Sequence, residues 1–149
     1  SSVQAKARGV SIFISQDIPF VQHEVISDRF GRYVIVSGKL CNTRVVFVNF
    51  YALNVDDVGF FERLFSLLPD RNTYSLILGG DFNCWLDPVL DRSSTKPSTA
   101  SRSARSIQDF LSNYGACDIW RSLHPYDREY SFFSHVHHTY SRIDYFFID

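Results

Sequence analysis

Apolar positions recur at every second place through the first third of the chain. Val10, Ile12 and Ile14 alternate with Ser11, Phe13 and Ser15, the period of a half-buried strand. Asp17-Ile18-Pro19 breaks that run, and Phe20 to Ser27 alternates again, more loosely. Asp28 to Arg32 supplies a turn. Tyr33 to Ser37 and Val45 to Tyr51 read as two further strands, linked through Leu40-Cys41-Asn42-Thr43-Arg44. Four successive strands with short turns predict an antiparallel meander.

The period then changes. Val58, Phe61, Leu64, Phe65 and Leu68 lie on one helical stripe, with Asn54 or Asp56 as the expected cap and Pro69 at the end. Tyr74 to Leu78 is a short apolar run of buried-strand type. Ile107, Phe110, Leu111 and Tyr114 form a second stripe, with Ser103 expected as its cap and Gly115 at its C-terminal end. Tyr130 to Ser134 and Arg142 to Ile148 read as two late strands. This order implies an α/β fold with layered sheet and helix.

Composition adds a boundary. The chain has 149 residues, 16% of them aromatic, and a net charge of −1, so any attraction for nucleic acid must be local. The basic stretch is Asp91 to Ser106, where Arg92, Lys96, Arg102 and Arg105 stand among Ser and Thr. It reads either as a solvated loop or as a set of contacts to phosphate. Cys41, Cys84 and Cys117 are scattered, without C-x-x-C spacing, which fits a reducing intracellular compartment, nuclear or cytoplasmic. No apolar run is long enough to span a membrane, and Ser1 to Lys6 has no signal-peptide character. The chain contains no Met and its ends fall close to strands, so it reads as a segment of a larger domain.

The chemistry centres on Gly79-Gly80-Asp81-Phe82-Asn83. A Gly pair permits a sharp turn and a close backbone approach. In extended backbone, positions 81 and 83 would point to one side, placing an acid and an amide on one sheet rim. The alternative is an Asx turn that satisfies local amides. Asp144 sits between Ile143 and Phe146 and is expected to be buried. A buried carboxylate costs several kcal/mol unless paired, with Arg142 or Arg32 as an ion pair or with a histidine. Tyr51 ends its strand as a core residue or a phenol donor to phosphate, and Ser131 is a second hydroxyl donor. His135, His137 and His138 lack the neighbours that complete a zinc set and read as a polar surface or a DNA-facing turn.

Together, Val48 to Ala52, Gly79 to Asn83, Leu90 to Ser94, Tyr130 to Ser134 and His137 to Tyr145 resemble the endonuclease/exonuclease/phosphatase superfamily, and within it the apurinic-like endonuclease domain of long interspersed (LINE) retrotransposons. The resemblance implies a four-layered α/β sandwich of the DNase I-like type that nicks DNA with Mg²⁺. It implies a single incomplete domain over 1–149, lacking its first strands and its last strand, with the 91–106 basic Ser-rich loop inside it.

The resemblance assigns Asp81 to the attacking water, Asn83 and Tyr51 to phosphate, and Asp144 to orienting a histidine. Ser131 stands where the LINE enzymes carry threonine. Arg92, Arg102, Arg105 and Arg142 become candidate contacts to DNA, and a reverse-transcriptase domain the expected neighbour in a parent polyprotein. The family's metal-binding glutamate and catalytic histidine have no counterpart in this sequence, so no metal ligand is assigned and slow or absent activity is expected. A lipid or inositol phosphate phosphodiesterase and a non-catalytic remnant are the alternatives.

Overall fold

The computed structural model describes residues 9–149; the opening stretch Ser1 to Lys6 lies outside the described residues. Strands β1 (Phe20–Ser27), β2 (Tyr33–Leu40) and β3 (Thr43–Tyr51) form an antiparallel meander. The β2–β3 link is shorter than expected, a tight turn in which Cys41 adopts φ 53°. Helix α1 (Val58–Ser66) crosses over to β4 (Ser75–Asp81), which pairs parallel with β3. Helix α2 (Arg102–Tyr114), β5 (Cys117–Asp118) and α3 (Ile119–Leu123) follow. A small hairpin of β6 (Phe132–Ser134) and β7 (Thr139–Ser141) precedes β8 (Asp144–Ile148). The main sheet has the order β1-β2-β3-β4-β8-β5, so the last strand inserts beside β4.

Strand alternation sorts the two faces. Val46, Val48, Phe50, Leu76, Leu78, Tyr145 and Phe147 point to the helices and meet Phe60, Phe61, Leu64, Ile107 and Leu111 in one core. Phe82 lies at its centre, with its ring 4.5 Å from Phe50 and 5.2 Å from Tyr145, both edge-on. This is where the high aromatic content goes. The helix caps differ by a residue or two from the expectation. Asp57 caps α1 through Phe60 N–H. Ser101 caps α2 through Ala104 N–H, while the Asp56 carboxylate accepts from the Arg102 and Ser103 amides. Gly115 closes α2 in the left-handed conformation, as its position predicts.

The opposite face carries Phe47, Asn49, Tyr51, Ile77, Asp81, Asp144 and Phe146. The predicted strand at Val10 to Ser15 is absent from the ladder: the segment carries no strand assignment and has no sheet partner among the described residues. Its alternation persists all the same. Val10, Ile12 and Ile14 are half-buried, Ser11, Phe13 and Ser15 are exposed, and Asn49 Nδ2 donates to the Ser11 carbonyl at 2.9 Å. The apolar side lies against the sheet, while the backbone lacks a neighbouring strand to bond.

Candidate active site

Tyr51, Asp81 and Asp144 stand in one row. Tyr51 is the register partner of Asp81 across β3–β4, and Asp81 is the register partner of Asp144 across β4–β8. All three line one open cleft with Asn49 and the end of the 9–15 segment. The row exists because β3 and β4 run parallel to a common end and β8 starts there in the opposite sense.

Gly79 and Gly80 do not turn the chain; both lie within β4. The close approach is real. Gly80 has φ 151°, and a Cβ there would sit 2.2 Å from the Phe50 carbonyl oxygen. The turn comes after Asp81. Asn83 has φ 50°, so the strand rule that would place it beside Asp81 does not apply. Its backbone N–H donates to Asp81 Oδ1 at 2.8 Å, and its Nδ2 donates to the Ala52 carbonyl at 2.6 Å. The Asx turn and the rim are thus one structure: Asn83 braces Asp81 and the end of β3, and it lines a second, adjacent groove rather than the cleft of Asp81.

Asp144 is exposed, which overturns the expectation of burial. It shares its face with Phe146, itself 62% exposed, whereas Tyr145 and Phe147 fill the core. Among the described residues the buried acid is Asp91, 1% exposed, which the sequence placed at the start of a stretch read as a solvated or a phosphate-contacting loop. Its Oδ1 accepts from Arg142 Nε at 2.9 Å and from an Arg121 guanidinium nitrogen at 2.8 Å. Arg142, 6% exposed, also grips Asp118 through two nitrogens, at 2.6 and 3.2 Å. It is an interior ion-pair residue and is corrected as a DNA contact.

Ser131 Oγ accepts from the Ile143 and Asp144 amides at 3.1 and 3.2 Å, so it holds the start of β8 and keeps one proton to donate. Arg92 lies over the Trp85 ring, 5.2 Å from its centroid, and lines the adjacent groove with Lys96, His135 and His137. Arg102 and Arg105 are not loop residues. They sit exposed on α2, away from the lining of that groove, and Arg102 pairs with Asp56 at 3.4 Å.

Electrostatics separates the acids. Burial raises the Asp81 pKa above its ordinary value, the Asp144 charge adds to the rise, and the Asn83 amide opposes it. Burial also acts to raise Asp91, but the Asp87 amide, Arg142 and Arg121 outweigh it and hold that carboxyl below the usual range. Burial pushes the Cys84 thiol up to about 12, which removes it as a nucleophile.

Mg²⁺ takes near-octahedral oxygen ligation. Among the described residues no group of three or more His, Cys, Asp or Glu is placed to hold a metal ion. Two carboxylates, Asp81 and Asp144, face the cleft, and they do not make a Mg²⁺ site by themselves.

A mixed sheet with a helical layer makes this a DNase I-like α/β fold, shared by solved structures that include two endonucleases. The AP endonuclease LMAP from Leishmania major matches with a TM-score of 0.63 and 19% identity, over 82% of this chain and 47% of its own. The endonuclease domain of TRAS1, a telomere-specific non-LTR retrotransposon, matches with a TM-score of 0.59 and 15% identity, over 90% of this chain and 57% of its own. The chain therefore spans about half the length of the solved structures it matches. No protein-family model matches the chain.

Proposed function

We propose that this chain carries part of the phosphodiester-cleaving site of a DNA-nicking endonuclease of the LINE retroelement type. The observation that carries this reading is the Tyr51–Asp81–Asp144 row facing one cleft. An elevated carboxyl pKa makes Asp81 a better proton acceptor for an attacking water. In this reading the Tyr51 phenol and the Ser131 hydroxyl, which accepts two amides and keeps its own proton, donate to phosphate oxygens. Asn83 fixes the Asp81 carboxylate through its amide. Arg92 and Lys96 supply backbone contacts to DNA in the adjacent groove, a sequence-independent form of attraction.

The family resemblance implies Mg²⁺, yet the donor set in the cleft does not fit it, so no step is assigned to the metal here. This favours a second reading for the isolated chain, a remnant that binds DNA and cuts slowly or not at all. Each 1.4 kcal/mol of lost transition-state stabilisation is about tenfold in rate. Supercoiled plasmid, incubated with the chain with and without Mg²⁺, tests both. Nicking abolished by Asp81→Ala supports the endonuclease. Retained DNA binding without nicking, in a folded sample, supports the remnant. Phospholipid and inositol phosphate offered alongside, and cleaved in preference to DNA, would overturn the DNA assignment.

A further inference from the structure

The sequence singles out Asp81 and Asp144 and offers Arg142 as an ion-pair partner of Asp144 or a DNA contact, but it does not show the cluster of charges behind them. Asp91, Asp118, Arg121 and Arg142 come from the loop before α2, the β5–α3 junction, α3 and the β7–β8 connection. Their four formal charges cancel. Arg142 also lies 4.5 Å over the Tyr145 ring centroid and 4.9 Å from that of Trp120.

The cluster closes on the residues that flank Asp144. The Asp91 carbonyl accepts from the Arg142 amide at 2.8 Å, and the Asp91 carboxylate grips the Arg142 guanidinium. The Tyr145 hydroxyl donates to the Arg142 carbonyl at 2.7 Å, lies 3.1 Å from Asp91 Oδ2, and accepts from the Leu86 amide at 3.0 Å. Positions 142 and 145 are thus anchored inside with the buried Ile143, and of this arch Asp144 alone is exposed. The Ile143 carbonyl accepts from the Phe82 amide at 2.8 Å, which ties this arch to the residue after Asp81.

A buried ion cluster is weak support for stability as such, since apolar residues of equal volume often serve as well or better. What charges add is direction: a planar guanidinium shared by two carboxylates fixes one arrangement of the three segments that bear them.

We infer that Asp91 and Arg142 are positioning residues of the cleft, whose buried contact holds the 142–145 arch so that Asp144 stands opposite Asp81. The inference rests on the reading of Asp81 and Asp144 as the acting pair. Its test reads their geometry without requiring cleavage, so a failed nicking assay and a failed positioning assay are separate results.

The measurement is a carboxyl-carbon NMR titration of the full chain and of Asp91→Asn, Arg142→Lys and Tyr145→Phe. With the arch loosened, Asp144 moves off Asp81, and the Asp81 midpoint falls toward the ordinary aspartate value. Arg142→Lys keeps the charge and loses the fork, and it is expected to behave like Asp91→Asn. The Asp56 resonance, at the N-terminus of α2, stays in place. Folded variants with a lower melting temperature and an unchanged Asp81 midpoint would overturn the inference and leave the cluster a purely structural one. Should Asp91→Asn fail to fold, Tyr145→Phe, which removes one hydroxyl from the same arch, decides by the same readout.

Discussion

Asp81 and Asp144 face one another across the β4–β8 ladder as register partners, two carboxylates on one rim. Partial burial, and after it the proximity of like charge on Asp144, act against ionising Asp81. The sign for stability follows. A carboxyl whose pKa is raised by folding stabilises the fold below its unfolded value of 3.8, and that contribution is lost as pH rises through the folded value. Asp81→Asn keeps an oxygen to accept from the Asn83 amide and removes the charge. It is expected to raise the melting temperature at pH 7 by roughly 1–3 °C, with no gain at pH 3, as read by calorimetry at both values.

Asp91 has the opposite sign. Its folded pKa is depressed, so its contribution is present above the unfolded value and lost as pH falls through the folded one. The urea midpoint of the parent chain is expected to drop on acidification below about pH 4, and the drop is expected to be shallower in Asp91→Asn. Asp91→Ala leaves Arg142 and Arg121 without their shared carboxylate and is expected to cost about 3–5 kcal/mol in equilibrium unfolding.

The glycine pair divides into a costly and a tolerant position. A Cβ at Gly80 meets the Phe50 carbonyl oxygen and nitrogen, both backbone atoms, and φ 151° is unfavourable for any L-residue. Gly80→Ala is expected to destabilise by at least about 1–3 kcal/mol from backbone strain alone. At Gly79 the obstacle is the Phe146 ring, 2.5 Å away but belonging to an exposed side chain that can swing aside. Gly79→Ala is expected to cost less than half as much in the same denaturation series.

On the proposed endonuclease reading, DNA affinity is expected to fall with salt, and the slope reports how many phosphates are met. Arg92→Ala and Lys96→Ala, in the groove beside Asn83, are each expected to reduce the slope of log affinity against log salt by about one. Arg102→Ala and Arg105→Ala on α2 are expected to change it less. Fluorescence anisotropy with a labelled duplex over a range of salt concentrations gives the four slopes side by side.

The sequence is most informative where periodicity and chemistry agree. The stripe from Val58 to Leu68, the run before Gly79, and Gly115 at the end of α2 all keep their predicted roles, because each rests on local preference. Asp144 was misread for a specific reason. Ile143 and Phe146 made its surroundings look greasy, yet Phe146 shares the outward face and Ile143 precedes the strand. Asp91 was misread for another. Its partners Arg121 and Arg142 lie 30 and 51 residues away, and composition reports only the Ser-rich loop beside it. The two- and three-residue strands β5 and β7 and the single-turn helix α3 are too short to leave a period. At Val10 to Ser15 the alternation was legible but the ladder was not, since a strand needs a neighbour as well as a pattern.

The position of β8 has a consequence for how the molecule matures. Strands β1 to β4 can zip together as soon as α1 has crossed over, but the second edge of β4 waits for β8, which lies far downstream in sequence. Until that long loop closes, Asp81 borders an open hydrogen-bonding edge and no acid stands opposite it. An intermediate in which β8 has yet to dock would hold Asp81 without Asp144, so the acidic pair arises only with that docking event.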